Sequence, residues 1–256
     1  MGILNLTPDS FSKDGIYGTS DEMIRKALQK SEALIAAGMD IIDIGAESSR
    51  PGFTTITVQM EQERLLPVLK AIRTHFPSLV LSVDTRNAST AEAAIQIGAD
   101  WINDIGGAAY DDKMSPVCAS SHCPIVLMRN KPLQPTGDTI NSVRSELLSL
   151  VDNARKAGIR DEQIIIDPGI GFGTTPEQNL EIINNLQRIR EMGFPVLIGP
   201  SRKSFIGHYL QKEIEARLEG TAAAIAAGIM NGADIIRIHD AAALYDVAKM
   251  VDSIIR

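Results

Sequence analysis

The stretch "QIIIDPGIGFG", residues 163–173, separates two candidate fold classes. Its run of isoleucines predicts a short buried strand, which ends at Asp167 and a glycine-rich turn. A doubly wound open sheet normally carries the spacing G-x-G-x-x-G after its first strand. Here the glycines alternate with single residues and follow the sixth predicted strand, and the turn after the first, "NLTPDSF", has no glycine. The stretch therefore favours a barrel over an open sheet.

The rest of the chain repeats the pattern of a strand followed by a helix. Apolar runs typical of strands occupy residues 2–6, 40–45, 79–84, 101–105, 124–128, 163–169, 194–199 and 234–240. Segments of helical period lie at 21–37, 58–76, 89–97, 113–121, 140–157, 176–192, 213–231 and 241–255. Eight such units within 256 residues predict an α/β fold, a TIM (β/α)₈ barrel, with one domain over residues 1–256.

Composition narrows the class of function. The chain is 44% hydrophobic and 22% charged, as is usual for a globular protein. Its net charge is −7 and it has no block of Lys and Arg, so we expect no binding to nucleic acid or membrane surfaces. The first residues lack the features of a signal peptide, which favours a cytoplasmic protein. Cys118 and Cys123 flank His122 without a fourth zinc ligand, so we expect reduced thiols.

Polar residues stand where most of the predicted strands end. They are Asn5; Asp43, Glu47 and Arg50; Asp84; Asn103 and Asp104; Asp167; Lys203; and Arg237, His239 and Asp240. A single carboxylate at such a position is often a helix cap or a loop anchor. In a TIM barrel, however, all the carboxyl ends of the strands meet at one face, and the active site lies there. We therefore expect these side chains to gather around one site.

The residue types in this set indicate two kinds of ligand. Asp84, Asn103 and Asp167 can accept hydrogen bonds from a flat heterocycle rich in N–H groups. Guanidinium and amide groups suit a phosphate-type anion and its metal, and the set offers them at Arg50, Arg237 and Asn5. There is no Ser–His–Asp or Cys–His arrangement among the strand ends. The pattern therefore indicates substrate positioning and electrostatics rather than covalent catalysis.

Longer motifs in the chain resemble those of the dihydropteroate synthase family of the folate pathway. They are "GILNLTPDSF", "DIGAESSRPG", "SVDT", "INDIGG", "IDPGIGFG", "SRKSFIG" and "RIHD", in the family's order. The resemblance covers nearly the whole chain. It implies a (β/α)₈ barrel, commonly a homodimer, that is a transferase. The implied reaction joins 6-hydroxymethyl-7,8-dihydropterin pyrophosphate to 4-aminobenzoate with Mg²⁺, giving 7,8-dihydropteroate and pyrophosphate.

The resemblance also implies roles for individual residues. The pterin would be bound by Asp84, Asn103, Met128, Asp167, Phe172 and Lys203. The 4-aminobenzoate pocket, for which sulfonamides would compete, would be lined by Arg50, Pro51, Lys203 and Ser204. Pyrophosphate would be bound by Asn5, Arg237 and His239, with Asn5 also a ligand of Mg²⁺. The catalytic residues would be Asp84, Lys203 and Arg237, while Arg202 would brace its loop.

One departure from the family's pattern lies after the fifth strand. The motif there is usually of the Met-His-Met type, but this chain has Met128, Arg129 and Asn130. The departure leaves open a pterin-binding paralogue without activity. A methyltransferase that uses methyltetrahydrofolate would share the pterin site but would not need the "SRKSF" loop. An aldolase-type barrel would instead use Lys203 to form a Schiff base. If the protein is a dimer, the exposed faces of 213–231 and 241–255 are candidate interfaces.

Overall fold

The computed structural model describes residues 1–7, 15–16, 18–47, 55–134 and 136–255. In those residues the strands are β1 Gly2–Asn5, β2 Ile41–Gly45, β3 Val80–Asp84, β4 Trp101–Asp104, β5 Ile125–Met128, β6 Ile164–Asp167, β7 Leu197–Ile198 and β8 Ile235–Ile236. The helices are α1 Ser20–Ala36, α2 Val58–His75, α3 Ala88–Ile97, α4 Met114–Ser121, α5 Thr139–Lys156, α6 Pro176–Asn184, α7 Leu186–Arg190, α8 Ser204–Leu210, α9 Leu218–Met230 and α10 Ala241–Ile255. The alternation predicted from the sequence is confirmed.

The strands form a closed parallel barrel. β1 to β6 pair in sequence order, and β7 pairs with β8. Two parallel bridges join these groups, Ile166 with Val196 and Gly2 with Ile238. Backbone N–H groups donate across both joints, from Ile166 to Pro195 and from Ile3 to Ile238, each at 3.0 Å. The ring of strands is therefore complete, as in a TIM barrel.

An apolar layer fills the amino-terminal half of the barrel interior. It takes one residue from each strand or its start: Met1, Ile41, Val80, Trp101, Val126, Ile165, Leu197 and Ile235. Because side chains alternate between the two faces of a strand, the residues two positions further along also face inward. Those residues include Asp43, Ser82, Asn103, Met128, Asp167 and Arg237. The barrel interior thus changes from apolar to polar between one layer of inward-facing side chains and the next.

A larger apolar cluster lies between the barrel and the surrounding helices. Residues of the opposite strand faces, such as Ile42, Leu81 and Ile102, pack there against helical side chains such as Leu69 and Leu147. These residues are fully buried. Burial on both faces explains why the strands read as continuous apolar runs in the sequence. Among the described residues, no helix combines the length and apolar character needed to cross a membrane.

Several elements differ from the sequence prediction. The helix predicted over 176–192 is interrupted at Asn185, whose side-chain amide donates to the Glu181 carbonyl at 2.8 Å. Such a side chain competes with the helical bonding pattern. β7 is shorter than predicted, because Pro195 and Pro200 near its two ends have no N–H group for the ladder. A short helix that was not predicted, α8, follows the β7 loop.

Candidate active site

Asp43 lies at the centre of a hydrogen-bonded network inside the barrel. Its side chain is fully buried. Oδ1 accepts a bond from the Ser82 hydroxyl at 2.6 Å, and Oδ2 accepts one from the Asn103 amide at 3.0 Å. Arg237 Nε donates to Oδ2 at 2.6 Å. Residues on β2, β3, β4 and just beyond β8 therefore meet at one carboxylate, which has the donors that its burial requires.

Arg237 extends this network to Asp84 at the mouth of the barrel. Its Nη2 donates to Asp84 Oδ2 at 2.8 Å. Burial would lower the pKa of Arg237, but the charges of Asp43 and Asp84 more than offset that effect and raise it. Burial raises the pKa of Asp84 to about 7, against the opposing charge of Arg237. Arg237 therefore stays cationic, whereas the protonation of Asp84 can respond to a ligand near neutral pH.

Asp167 ends β6 and holds the turn that follows it. Its Oδ1 accepts the N–H group of Gly169 at 2.7 Å. Burial raises the pKa of Asp167 to about 6, while the Gly169 bond and the cations Lys203 and Arg237 act in the opposite direction. Within the described part of the chain, no group donates to Oδ2. That oxygen can accept hydrogen bonds from a ligand in the barrel mouth.

Lys203 approaches this turn from the loop between β7 and α8. Its Nζ lies 3.9 Å from the centroid of the Phe172 ring, within the range of a cation–π contact. Burial lowers the pKa of Lys203 to about 8, assisted by Arg237 and opposed by Asp167 and Asp84. Gly171 has φ +78°, and a Cβ atom there would lie 2.9 Å from Lys203 Cδ. Glycine therefore lets the turn and the lysine approach each other.

The β7 loop is tied to the end of β8 by two contacts. Arg202 Nε donates to Asp240 Oδ2 at 2.8 Å, and Nη2 contacts the other carboxylate oxygen. Ser201 Oγ lies 3.1 Å from His239 Nδ1. The prediction that Arg202 braces its loop is confirmed, since a two-point ion pair fixes both partners. The adjacent side chains of His239 and Asp240 thus hold neighbouring residues of one loop.

The structure brings most of the predicted site residues together at one end of the barrel. Asn103, Arg237 and Asp84 are joined through Asp43, Lys203 contacts Phe172, and His239 is held beside the β7 loop. Asn5 is half-buried at the end of β1, Met128 is buried in register with Asp167, and Ser204 is exposed at the start of α8. Arg50 and Pro51 lie outside the described residues.

Two carboxylates that the sequence predicts at strand ends differ in the structure from what those positions suggest. Asp43 lies in the middle of β2 rather than at its end, and it is the centre of the network, a role that the sequence does not predict for it. Its position two residues after the interior Ile41 is the signal that could have identified it. Asp104 instead faces its own turn and accepts the N–H groups of Gly106 and Ala108 at 2.6 and 2.7 Å. Burial raises the pKa of Asp104 to about 6, but it takes no part in the Asp43 network.

The arrangement suits a flat polar ring placed next to an anion. Carboxylate and amide oxygens line the interior, and two cations, Lys203 and Arg237, stand at the mouth. Groups fixed in this way inside a low-dielectric site can stabilise charge that develops during a reaction.

Comparison with known proteins agrees with this geometry. Residues 1–239 match the family described as pterin binding enzyme. A dihydropteroate synthase of Clostridium beijerinckii is 44% identical over 257 residues, covering 100% of this chain and 94% of that protein. The dihydropteroate synthase of Bacillus subtilis is also 44% identical, covering 100% of this chain and 88% of its own length.

Solved structures show the same likeness. Dihydropteroate synthase from Clostridium difficile, crystallised in the presence of pteroic acid, superposes with a TM-score of 0.93 at 36% identity, covering 100% of this chain and 96% of its own. The enzyme of Xanthomonas albilineans with 4-aminobenzoic acid gives a TM-score of 0.90 at 33% identity, covering 99% and 92%. The chain belongs to the pterin binding enzyme family.

Proposed function

We propose that this protein is a dihydropteroate synthase, a transferase of folate biosynthesis. It condenses 6-hydroxymethyl-7,8-dihydropterin pyrophosphate with 4-aminobenzoate and releases 7,8-dihydropteroate and pyrophosphate. The observation that carries the proposal is the polar interior layer, in which Asp43, Asn103, Arg237 and Asp84 form one bonded network at the barrel mouth. Relatives 44% identical over the full chain are dihydropteroate synthases.

The pterin is assigned to the interior network. Its amino and ring N–H groups would donate to Asp167 Oδ2 and to the amide oxygen of Asn103, with Met128 packing beneath the ring. Lys203 would donate to the polar edge of the ring, and Phe172 would close over one face. The support is geometric: Asn103, Met128 and Asp167 follow the apolar layer by two residues on neighbouring strands, Lys203 Nζ lies over the Phe172 ring, and Asp167 uses only Oδ1 to hold its own turn.

The pyrophosphate is assigned to the mouth, where cations meet the solvent. Arg237 and His239 would bind its oxygens, together with Asn5. Mg²⁺ is the proposed cofactor. The Asn5 side chain, half-buried at the end of β1, offers an amide oxygen, a ligand type that suits this hard cation, and pyrophosphate oxygens and water would supply its other ligands. When bound, the ion would neutralise negative charge on the leaving group.

The proposed mechanism is dissociative. The bond between the pterin methylene carbon and the pyrophosphate oxygen breaks with its electron pair moving to pyrophosphate, and positive charge spreads into the ring. Asp84 in its ionised form stabilises that charge, while Arg237 and Lys203 stabilise the leaving group. The neutral amine of 4-aminobenzoate then attacks the methylene carbon and loses a proton to solvent. Lys203 and Ser204, with Arg50 and Pro51, are assigned to the 4-aminobenzoate pocket.

A homodimer is part of the proposal. Large apolar side chains are exposed on α10 and at the end of α9, with Met230 at 63%, Met250 at 62% and Ile254 at 67% exposure. A stable dimer commonly covers such residues. Light scattering of the purified protein would give twice the chain mass if the proposal is right, and the chain mass if it is wrong.

The function is tested by mixing the protein with the dihydropterin pyrophosphate and Mg²⁺, with and without 4-aminobenzoate. We expect pyrophosphate release that depends on the amine, with dihydropteroate formed in equal amount. Saturable pterin binding without product would instead identify a paralogue without activity. Turnover that requires methyltetrahydrofolate would identify a methyltransferase.

A further inference from the structure

Arg129 is a buried arginine that the proposed chemistry does not use. Its side chain is 1% exposed, and it is among the largest fully buried side chains of the described residues. It directly follows β5, next to the pterin-lining Met128. Burial of a guanidinium is costly unless its donors are satisfied, so its bonding partners indicate what it does.

The partners of Arg129 belong mainly to the turn after β6. Nε donates to the Pro168 carbonyl at 3.1 Å, and Nη2 donates to the Phe172 carbonyl at 2.5 Å. Nη1 bonds the carbonyl of Lys131 and lies 3.4 Å from Glu146. One planar fork therefore holds both ends of the turn 168–172 from inside, and it links that turn to the segment after β5.

The other side of the same turn faces the proposed pterin site. Asp167 begins it, and the Phe172 ring lies beneath Lys203. The turn also lies directly on Arg129, since a Cβ atom at Gly169 would be 2.0 Å from the Arg129 carbonyl oxygen. Because the guanidinium bonds the carbonyls of Pro168 and Phe172, its movement would shift the Phe172 ring and the peptide next to Asp167.

We propose that Arg129 is a positioning residue that sets pterin affinity by holding the turn 168–172 in its binding conformation. The inference rests on the proposed function and deepens it. Arg129 does not touch the substrate; it acts through Phe172 and Asp167. If Arg129 had only a structural role, its replacement would lower the stability of the protein and would affect the kinetics of both substrates alike.

Charge provides a second readout. The cations acting on Asp167 come from three elements: Lys203 after β7, Arg237 after β8 and Arg129 after β5. Each favours the ionised carboxylate, so removal of one makes Asp167 protonate at a higher pH. Arg129→Met should therefore shift the acidic limb of the pH profile of pterin affinity to higher pH. Arg129→Lys keeps the charge but cannot reach the separate carbonyls, so its acidic limb should stay in place.

The test measures KM for each substrate separately in the wild type, Arg129→Lys and Arg129→Met. Glu146→Gln is the matched control, because it removes the ionic partner of Arg129 without touching the turn. Displacement of a positioning group lowers kcat/KM by about ten- to hundred-fold. We expect losses of that size in kcat/KM for the pterin substrate in both Arg129 variants, caused by a higher KM for the pterin, with KM for 4-aminobenzoate and the Glu146→Gln values unchanged.

An unchanged pterin KM in Arg129→Lys, or an equal rise for both substrates, would overturn the proposal. Fluorescence of Trp101, the single tryptophan, verifies that each variant is folded. If Arg129→Met does not fold, Arg129→Lys alone decides the outcome through the split between the two KM values. If the wild type makes no dihydropteroate, the proposed function fails; calorimetric titration of the pterin pyrophosphate into wild type and Arg129→Lys then still tests the role of Arg129.

Discussion

Replacing Asp43 by alanine breaks the interior network at its centre. The substitution removes the acceptor of the Ser82, Asn103 and Arg237 bonds at 2.6, 3.0 and 2.6 Å. Arg237, whose side chain is only 19% exposed, keeps its bond to Asp84 but loses its fully buried partner. The variant therefore leaves the Arg237 guanidinium, the Ser82 hydroxyl and the Asn103 amide without the carboxylate that accepted their hydrogen bonds. Because the site is buried, water cannot readily take the place of that carboxylate.

The loss of the Asp43 carboxylate should lower the free energy of unfolding substantially. Removal of one partner of a buried ion pair destabilises a protein by about 3–5 kcal/mol. For a chain of this size, each kcal/mol lowers Tm by about 2–4 °C, so the variant should unfold about 6–20 °C below the wild type. Asp43→Asn, which keeps an acceptor oxygen, should cost less.

A double-mutant cycle separates the pair from its surroundings. Unfolding of Asp43→Ala, Arg237→Met and the double variant is followed by fluorescence of Trp101, which packs in the apolar layer just below the network. The double variant should be more stable than the sum of the single effects by roughly 2 kcal/mol, because it leaves no unpaired cation. Additivity within about 0.5 kcal/mol would mean that Asp43 and Arg237 do not stabilise each other.

Three further predictions concern the barrel mouth. Pterin affinity should be highest between pH about 6 and about 8, since Asp167 loses its charge below that range and Lys203 loses its charge above it; titrations of Lys203→Met should lack the alkaline limb. Gly171→Ala forces a Cβ into a left-handed residue 2.9 Å from Lys203 Cδ and should weaken pterin binding about ten-fold by calorimetry. Arg202→Leu removes the ion pair with Asp240 and should clearly lower kcat, measured by product formation, while Tm, measured by thermal unfolding, changes little.

The sequence predicts the fold well because both faces of each strand are buried. That burial gives the eight apolar runs, and the helices between them follow from their period. Polar residues at the strand ends also predict which side chains gather at the carboxyl end of the barrel, as the positions of Asp84, Asn103 and Lys203 show. Local pattern is sufficient for these features because each depends on neighbours along the chain.

The remaining features depend on closure of the ring. The role of Asp43 requires contact with Arg237, 194 positions later in the chain, and that contact exists only because β8 returns to β1. The burial of Arg129 depends likewise on carbonyls of a turn about 40 residues away, which no periodicity encodes. The break at Asn185 arises from a side-chain bond that competes with the helix and overrides a regular apolar pattern.

The proposed role of Asp84 is tested by kcat for dihydropteroate formation in Asp84→Asn, with Asp104→Asn as its matched control. Both residues are carboxylates at the ends of neighbouring strands, and burial raises the pKa of each, but Asp104 bonds only its own turn. If Asp84 stabilises charge in the reacting pterin, its variant should lose about 10²–10³-fold in kcat, while Asp104→Asn stays near the wild-type value. Near-normal turnover of Asp84→Asn would show that Asp84 does not stabilise the charge of the reacting pterin.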